Sequence, residues 1–317
     1  MRWSHSTALS FTQCPRKWYF GSVLANGRAL DPIRKEAYLL KQLCNIHAWR
    51  GKIVDKVISD FIIPKLNNYQ MINLDQILNY SNHLIDIQLN FGKKQEYKNG
   101  KTKTAYSEEY CAFFELEYSD ELNENSIEEA KNEIQQSLTN FHDSEFLTDI
   151  IEEKPYMIAQ RSLQFSFAGV TVTSTPDLIV FFKDKNPLIV DWKVQAPSYK
   201  DHWIQLGTYA WALSKVSPHR DFPEKDSALI KDPTQISLLE FQLLRNQAKE
   251  YVVTNEDILD IEDHFFNSST QLKNLTYGKS KMKDLDLKLF PTAKSADTCM
   301  NCQYKKMCWE ETNVNVN

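Results

Sequence analysis

Two short apolar runs, Leu178 to Phe182 and Leu188 to Val190, are separated by the polar turn Lys183-Asp184-Lys185-Asn186-Pro187. This pattern predicts two adjacent strands joined in a hairpin. Upstream, Met157 to Phe167 and Val170 to Ser174 are strand-like and meet at Ala168-Gly169. Downstream, Ile236 to Leu244 and Tyr251 to Thr254 are further strands. The other periodic stretches are helical. Ser6 is placed to cap a short helix, which Cys14-Pro15 restarts. Asp31-Pro32 opens a helix to about Leu43. Ile53, Val54, Val57, Ile58, Phe61 and Ile62 form the stripe of a helix that Pro64 is expected to end. Leu74 to about Phe91, Ser126 to about Phe141, Ser198 to Val216 and Asn255 to about Leu275 are helical as well. The lysine-rich stretches 93–103 and 278–288 read as solvated loops, and Glu109 to Tyr118 fits strand or loop equally.

The expectation is one α/β domain spanning residues 1–317. A mainly helical region covers 1–150, a mixed strand-and-helix core covers 151–275, and a cysteine-rich tail covers 276–317. With 317 residues the chain can bury a sizeable core. Its 42% hydrophobic and 25% charged residues are ordinary for a soluble globular protein. No run approaches transmembrane length and Met-Arg-Trp-Ser-His-Ser is not a signal peptide, so a cytoplasmic protein without a membrane partner is expected. The net charge of −5 argues against a generally basic nucleic-acid binder, so any contact with DNA must come from a local groove.

Candidate chemistry gathers at the hairpin. Asp177 opens its first strand and Asp191 closes its second, so antiparallel pairing brings both carboxylates to one end. Lys193 lies two residues beyond Asp191, on the same face of the strand. Two carboxylates and an ammonium are costly to bring together unless a cation sits between them. The oxygen-only ligand set suits Mg²⁺ or Mn²⁺. Gln205 and Tyr209, four residues apart, share a face of the following helix, although a helical tyrosine is often simply core.

Six cysteines in a chain expected to be cytoplasmic argue against disulfides. Cys299, Cys302 and Cys308 cluster near one terminus and need a fourth thiolate for a closed Cys₄ site. Cys14, held at a helix start by Pro15, is the best candidate. Iron–sulfur and zinc both accept such a set, and spacing alone does not separate them. Cys44 and Cys111 lie in apolar surroundings and read as buried free thiols.

These residues together resemble the RecB-type branch of the PD-(D/E)XK nuclease superfamily, in particular its iron–sulfur-containing members, the AddB-type end-processing nucleases and the exonucleases of CRISPR adaptation. The resemblance rests on Ser6-Thr-Ala-Leu-Ser-Phe-Thr-Gln-Cys14-Pro-Arg-Lys, on Pro176-Asp177, Asp191-Trp192-Lys193 and Gln205…Tyr209, and on Phe290-Pro-Thr with Cys299, Cys302 and Cys308. It implies a restriction-endonuclease-like core, a mixed sheet flanked by helices. It also implies a [4Fe–4S] cluster on Cys14, Cys299, Cys302 and Cys308, and a cation on Asp177, Asp191 and the carbonyl of Trp192. Residues from about 65 to 150 match only as helical filler. Where the family carries a metal-ligating histidine after Gly-x-x-x, this chain has Asp55 in Gly51-Lys-Ile-Val-Asp55. His47 lies about two helical turns earlier, or ~12 Å, and does not substitute. Asp55 supplies an oxygen instead, on a helix that Gly51 is expected to let approach the sheet.

The expected function is metal-dependent hydrolysis of DNA phosphodiester bonds, most simply as an exonuclease in DNA repair, recombination or phage defence. The alternatives are a catalytically silent DNA-binding or assembly subunit that keeps the fold and the cluster, and a zinc-stapled interaction protein. No Walker-type phosphate loop is present, so a DNA-unwinding motor would be a separate partner.

Overall fold

The computed structural model describes residues 2–119, 121–194, 202–217, 219–223, 230–276 and 285–314. The chain forms two compact units, Met1–Ser4 with His47–Ile85 and Asn123–Phe265, and His5–Ile46 with Asp86–Leu122 and Phe266–Asn317.

The first unit carries the strands β1 Arg2–Trp3, β2 Tyr156–Ala159, β3 Leu163–Phe167, β4 Val170–Ser174, β5 Leu178–Phe181, β6 Leu188–Lys193, β7 Ser237–Gln242 and β8 Gln247–Tyr251. Five of them form one mixed sheet in the order β2-β5-β6-β7-β8. The β6–β7 pair is parallel and the other three pairs are antiparallel. A smaller sheet has the order β1-β4-β3. All four residues of β5 are buried, as its unbroken Leu-Ile-Val-Phe run requires of a strand covered on both faces. A parallel pair needs a crossover, and the helix Trp203–Lys215 lies between β6 and β7 in the chain. Every residue of that helix from Leu206 to Ser214 is buried. Gly207 lets it pack closely, since a Cβ there would come within 2.6 Å of Ile261 Cδ1.

The expected strand over Met157–Phe167 is in fact two strands in two sheets. Gln160, at φ +50°, turns the chain between β2 and β3. The hairpin at Ala168-Gly169 is present, with both residues at positive φ, as a two-residue turn between right-twisted strands demands. The last strand is Gln247–Tyr251 rather than Tyr251–Thr254. It lies at the sheet edge, where backbone pairing needs no apolar side chains. Pro64 does not end its helix. A wide turn over Val57–Ile62 separates the helices Ile46–Lys56 and Ile63–Asn67. Such a turn sends carbonyls one residue further along, so the proline's missing N–H is tolerated. Sequence periodicity also missed β1 and the helix Glu145–Glu153, which Ser144 caps by accepting from Leu147 N at 3.1 Å.

The second unit is helical and packed on aromatic rings, among them Trp18, Tyr19, Phe20, Phe290 and Tyr304. Cys14 starts the helix Pro15–Tyr19 and Asp31 starts Pro32–Gln42, each through a side chain that accepts from the backbone of the first turn. The lysine-rich stretch 93–103 is not simply a solvated loop: Tyr97 is buried within it and joins the aromatic core. The ambiguous stretch Glu109–Tyr118 ends in the short helix Phe114–Tyr118 after a single bridge between Cys44 and Phe113. Of the other expected elements, residues 198–201 and 278–284 lie outside the described residues. No helix among the described residues is long and apolar enough to cross a membrane.

Candidate active site and cysteine pocket

The β5–β6 ladder pairs Leu178 with Val190, so Asp177 and Asp191 sit one step further along at the same end of the sheet. Trp192 N donates to Asp177 Oδ2 at 3.0 Å, which fixes one carboxylate to the strand that carries the other. Lys193 pairs with Asp191 Oδ2 on the shared face of β6. Asp191 is almost completely buried, and its other oxygen, Oδ1, accepts from Gln205 Nε2 at 3.2 Å and from the Tyr209 hydroxyl at 3.4 Å. Gln205 also donates to that hydroxyl. Tyr209 therefore serves in two ways. Its ring belongs to the core that packs the sheet, while its hydroxyl reaches the site.

Asp55 joins the same place from the helix Ile46–Lys56. Its Oδ1 accepts from Gln160 Nε2 at 2.7 Å, from Trp192 Nε1 at 3.1 Å and from Ser59 Oγ at 3.3 Å. The helix brings Asp55 into the hydrogen-bond network of Asp177, though not for the reason expected. A Cβ on Gly51 would meet nothing within 4 Å, so the glycine is not what permits the approach.

Burial sets the electrostatics. It pushes the Asp177 carboxyl up to about 8, with the nearby Asp191 and Asp55 charges adding to the shift and Lys193 opposing it. Burial likewise raises Asp191, against the Lys193 ammonium and with help from Glu240. Asp55 is also raised by burial, against its hydrogen bonds from Trp192, Gln160 and Ser59.

Three further residues build this site and carry no motif of their own. Gln160 donates to Asp177 Oδ1 at 3.1 Å as well as to Asp55, so one amide spans two carboxylates. Its left-handed backbone costs about 1 kcal/mol for a residue with a Cβ. Arg50 is buried, pairs with Glu133 and donates to the carbonyl of Val194, just beyond Lys193. Glu240 is buried on β7 in register with Asp191, with Gln242 Nε2 donating to it at 2.6 Å. Only tertiary pairing reveals these three, since a lone Gln, Arg or Glu in a sequence signals nothing.

In the second unit, Cys14, Cys299, Cys302 and Cys308 line one pocket together with Arg16, Lys17 and Tyr304. Lys17 N donates to Cys14 Sγ and Tyr304 N to Cys302 Sγ, both at 3.4 Å. Burial raises the Cys302 and Cys308 thiols, and the neighbouring cysteines raise them further. The Tyr304 backbone N–H and Lys17 oppose this at Cys302, and the Arg16 guanidinium opposes it at Cys308. Cys44 and Cys111 are buried elsewhere, with Cys44 Sγ donating to the carbonyl of Ala112 at 3.7 Å.

Among the described residues, no group of three or more His, Cys, Asp or Glu side chains is arranged to hold a metal ion. At the carboxylates, nitrogens of Gln160, Trp192 and Lys193 engage the oxygens that a cation would take. The donor set is nonetheless the oxygen-rich one that a hard divalent cation requires.

Residues 2–309 match the family model of the PD-(D/E)XK nuclease superfamily. The chain belongs to that superfamily. No curated protein matches it. Among solved structures, one described as the crystal structure of SSO0001 is similar at 13% identity. The match covers 62% of this chain and 78% of that one with a TM-score of 0.29, too low to carry an argument.

Proposed function

We propose that the chain is a Mg²⁺- or Mn²⁺-dependent deoxyribonuclease of the RecB type. On this reading it acts as an exonuclease on single-stranded DNA or duplex ends, in repair, recombination or phage defence beside a separate helicase. The observation that carries the reading is the meeting of Asp177, Asp191 and Lys193 at one end of the β5–β6 pair, with Asp55 brought alongside.

Asp177, Asp191 and Asp55 are the residues to hold the cation, with the Trp192 carbonyl as a further ligand. A cation bound there supplies the Lewis acid that lowers the pKa of water and offsets charge on the phosphate. Lys193, tethered by Asp191, orients the attacking water or stabilises charge that develops on the phosphate oxygens. Gln205 and Tyr209 fix Asp191 Oδ1, so the buried carboxylate cannot rotate away from its task.

For the second unit we propose a [4Fe–4S] cluster on Cys14, Cys299, Cys302 and Cys308, in preference to zinc. Four thiols lining one pocket, two of them accepting from backbone N–H groups, support a closed thiolate site, and the resemblance to the iron–sulfur members favours the cluster over zinc.

The test is anaerobic purification followed by assays with Mg²⁺ and Mn²⁺ on single- and double-stranded DNA, with Asp191→Asn as the control. Cleavage by the parent and none by the variant is expected. DNA binding without cleavage under either metal would identify a silent subunit instead.

A further inference from the structure

Gln160 is exposed, yet its head group is held at two points and its backbone is strained. The backbone placement has a clear cause. Gln160 N donates to the carbonyl of Asp177 at 3.0 Å, one step beyond the Ala159–Leu178 pair, so the end of β2 is tied to the residue that opens β5. The left-handed turn then carries the chain away to the smaller sheet. The strand end and the turn together deliver the side chain to the carboxylates. An exposed glutamine with only a solubilising role has no reason to be placed there at φ +50°.

The amide nitrogen lies 2.7 Å from Asp55 Oδ1 and 3.1 Å from Asp177 Oδ1. It therefore occupies the space between two carboxylates that repel one another, where a cation would serve the same purpose. A carboxamide is the side chain that can do this and also reverse. It has a donor end and an acceptor end of nearly the same shape, exchanged by a half-turn about its last bond. Lysine or arginine at this position would compete with a cation permanently, whereas an aliphatic side chain would offer it nothing.

We propose that Gln160 is a ligand of the catalytic cation, through Oε1. In the arrangement seen here its NH₂ bridges Asp55 and Asp177. When a divalent cation binds these carboxylates, the amide turns over and presents its carbonyl oxygen, adding a neutral oxygen to an otherwise anionic set. This inference rests on the nuclease reading above, because it places Gln160 on that site's cation.

Mn²⁺ binding by calorimetry, on chelator-stripped protein without DNA, tests it in the parent, Gln160→Met and Gln160→Glu. Methionine keeps the length and removes both the donor and the oxygen. Glutamate keeps an oxygen and adds charge. The expected result is that Gln160→Met weakens Mn²⁺ binding by about ten-fold or more, in the range typical of lost metal-site partners, while Gln160→Glu binds at least as tightly as the parent. Melting temperatures of the stripped proteins show that each variant is folded, and a fall for Gln160→Glu is expected from the added carboxylate. If the parent binds Mn²⁺ and Gln160→Met binds it equally or more tightly, the amide only competes with the cation and the inference fails while the nuclease reading stands. If the parent and both variants bind no Mn²⁺, the nuclease reading fails and takes this inference with it.

Discussion

The carboxylate site of the first unit and the thiol pocket of the second are built by opposite routes. Asp177, Asp191 and Lys193 lie at or beside neighbouring strands within seventeen residues of one another, and local strand pairing, with the Trp192 N–H donating to Asp177, places them together. Cys14 and Cys308 come from nearly opposite ends of the chain. They meet only because short helices and the aromatic core around Trp18, Phe290 and Tyr304 hold the two ends in one unit. The oxygens of the first site already have protein partners in Gln160, Trp192 and Lys193. The sulfurs of the second site have donors as well, in Lys17 N, Tyr304 N and Arg16, but a group bound by all four cysteines would close a very long loop. The cation proposed at the first site would serve chemistry. The proposed cluster at the second is a matter of folding.

The sharpest way to break this contrast is Cys302→Ala. Loss of a cluster ligand is expected to lower the melting temperature by about 10 °C or more, because metal binding at such a site contributes directly to folding. Hydrogen exchange is expected to rise in residues 5–46 and 285–314 and to change little in the strands that carry Asp177 and Asp191. Anaerobic parent protein is expected to be brown and to contain iron and sulfide. Colourless, zinc-loaded protein of full stability would remove the iron–sulfur assignment.

Lys193→Ala tests the other side. Lys193 is about 16% exposed through its side chain and pairs with a carboxylate rather than filling the core. Its loss is expected to reduce cleavage by about 10²–10³-fold, the scale of losing a group that stabilises developing charge. The melting temperature and the affinity for DNA are expected to stay close to those of the parent. A variant that cleaves at the parental rate would displace Lys193 from the mechanism.

The smallest effect concerns pH and stability in chelator-stripped protein. The Asp177 carboxyl is raised to about 8 in the folded state, so between about pH 4 and 8 the folded chain binds a proton that the unfolded chain has released. Stability from this group is complete below the unfolded pKa and is lost as pH rises through the folded one. The parent is thus expected to lose stability over that window relative to Asp177→Asn, whose amide does not titrate. Saturating Mn²⁺ is expected to remove much of the difference, since a bound cation favours the ionised carboxylate. Parallel melting curves for the two proteins from pH 4 to 8 would show that the carboxylate is not raised.

Much of this protein was legible from one dimension. The apolar runs at Leu178–Phe181 and Leu188–Val190, with an aspartate at each junction, were enough to place two carboxylates at one sheet end, because strand pairing is local and its period is two. The i,i+4 spacing of Gln205 and Tyr209 likewise put both on one helix face, and Pro15 marked Cys14 as a helix start. What tertiary structure alone decided were the residues whose partners lie far away in the chain. Gln160 acquired its place only when β2 paired with β5 and the chain left for another sheet. Arg50 reached the Val194 carbonyl across 144 positions, and Glu240 came into register with Asp191 through a parallel pair that a helix separates. A single glutamine, arginine or glutamate has no periodicity to betray it, because its role depends on contacts that exist only after the chain has closed on itself.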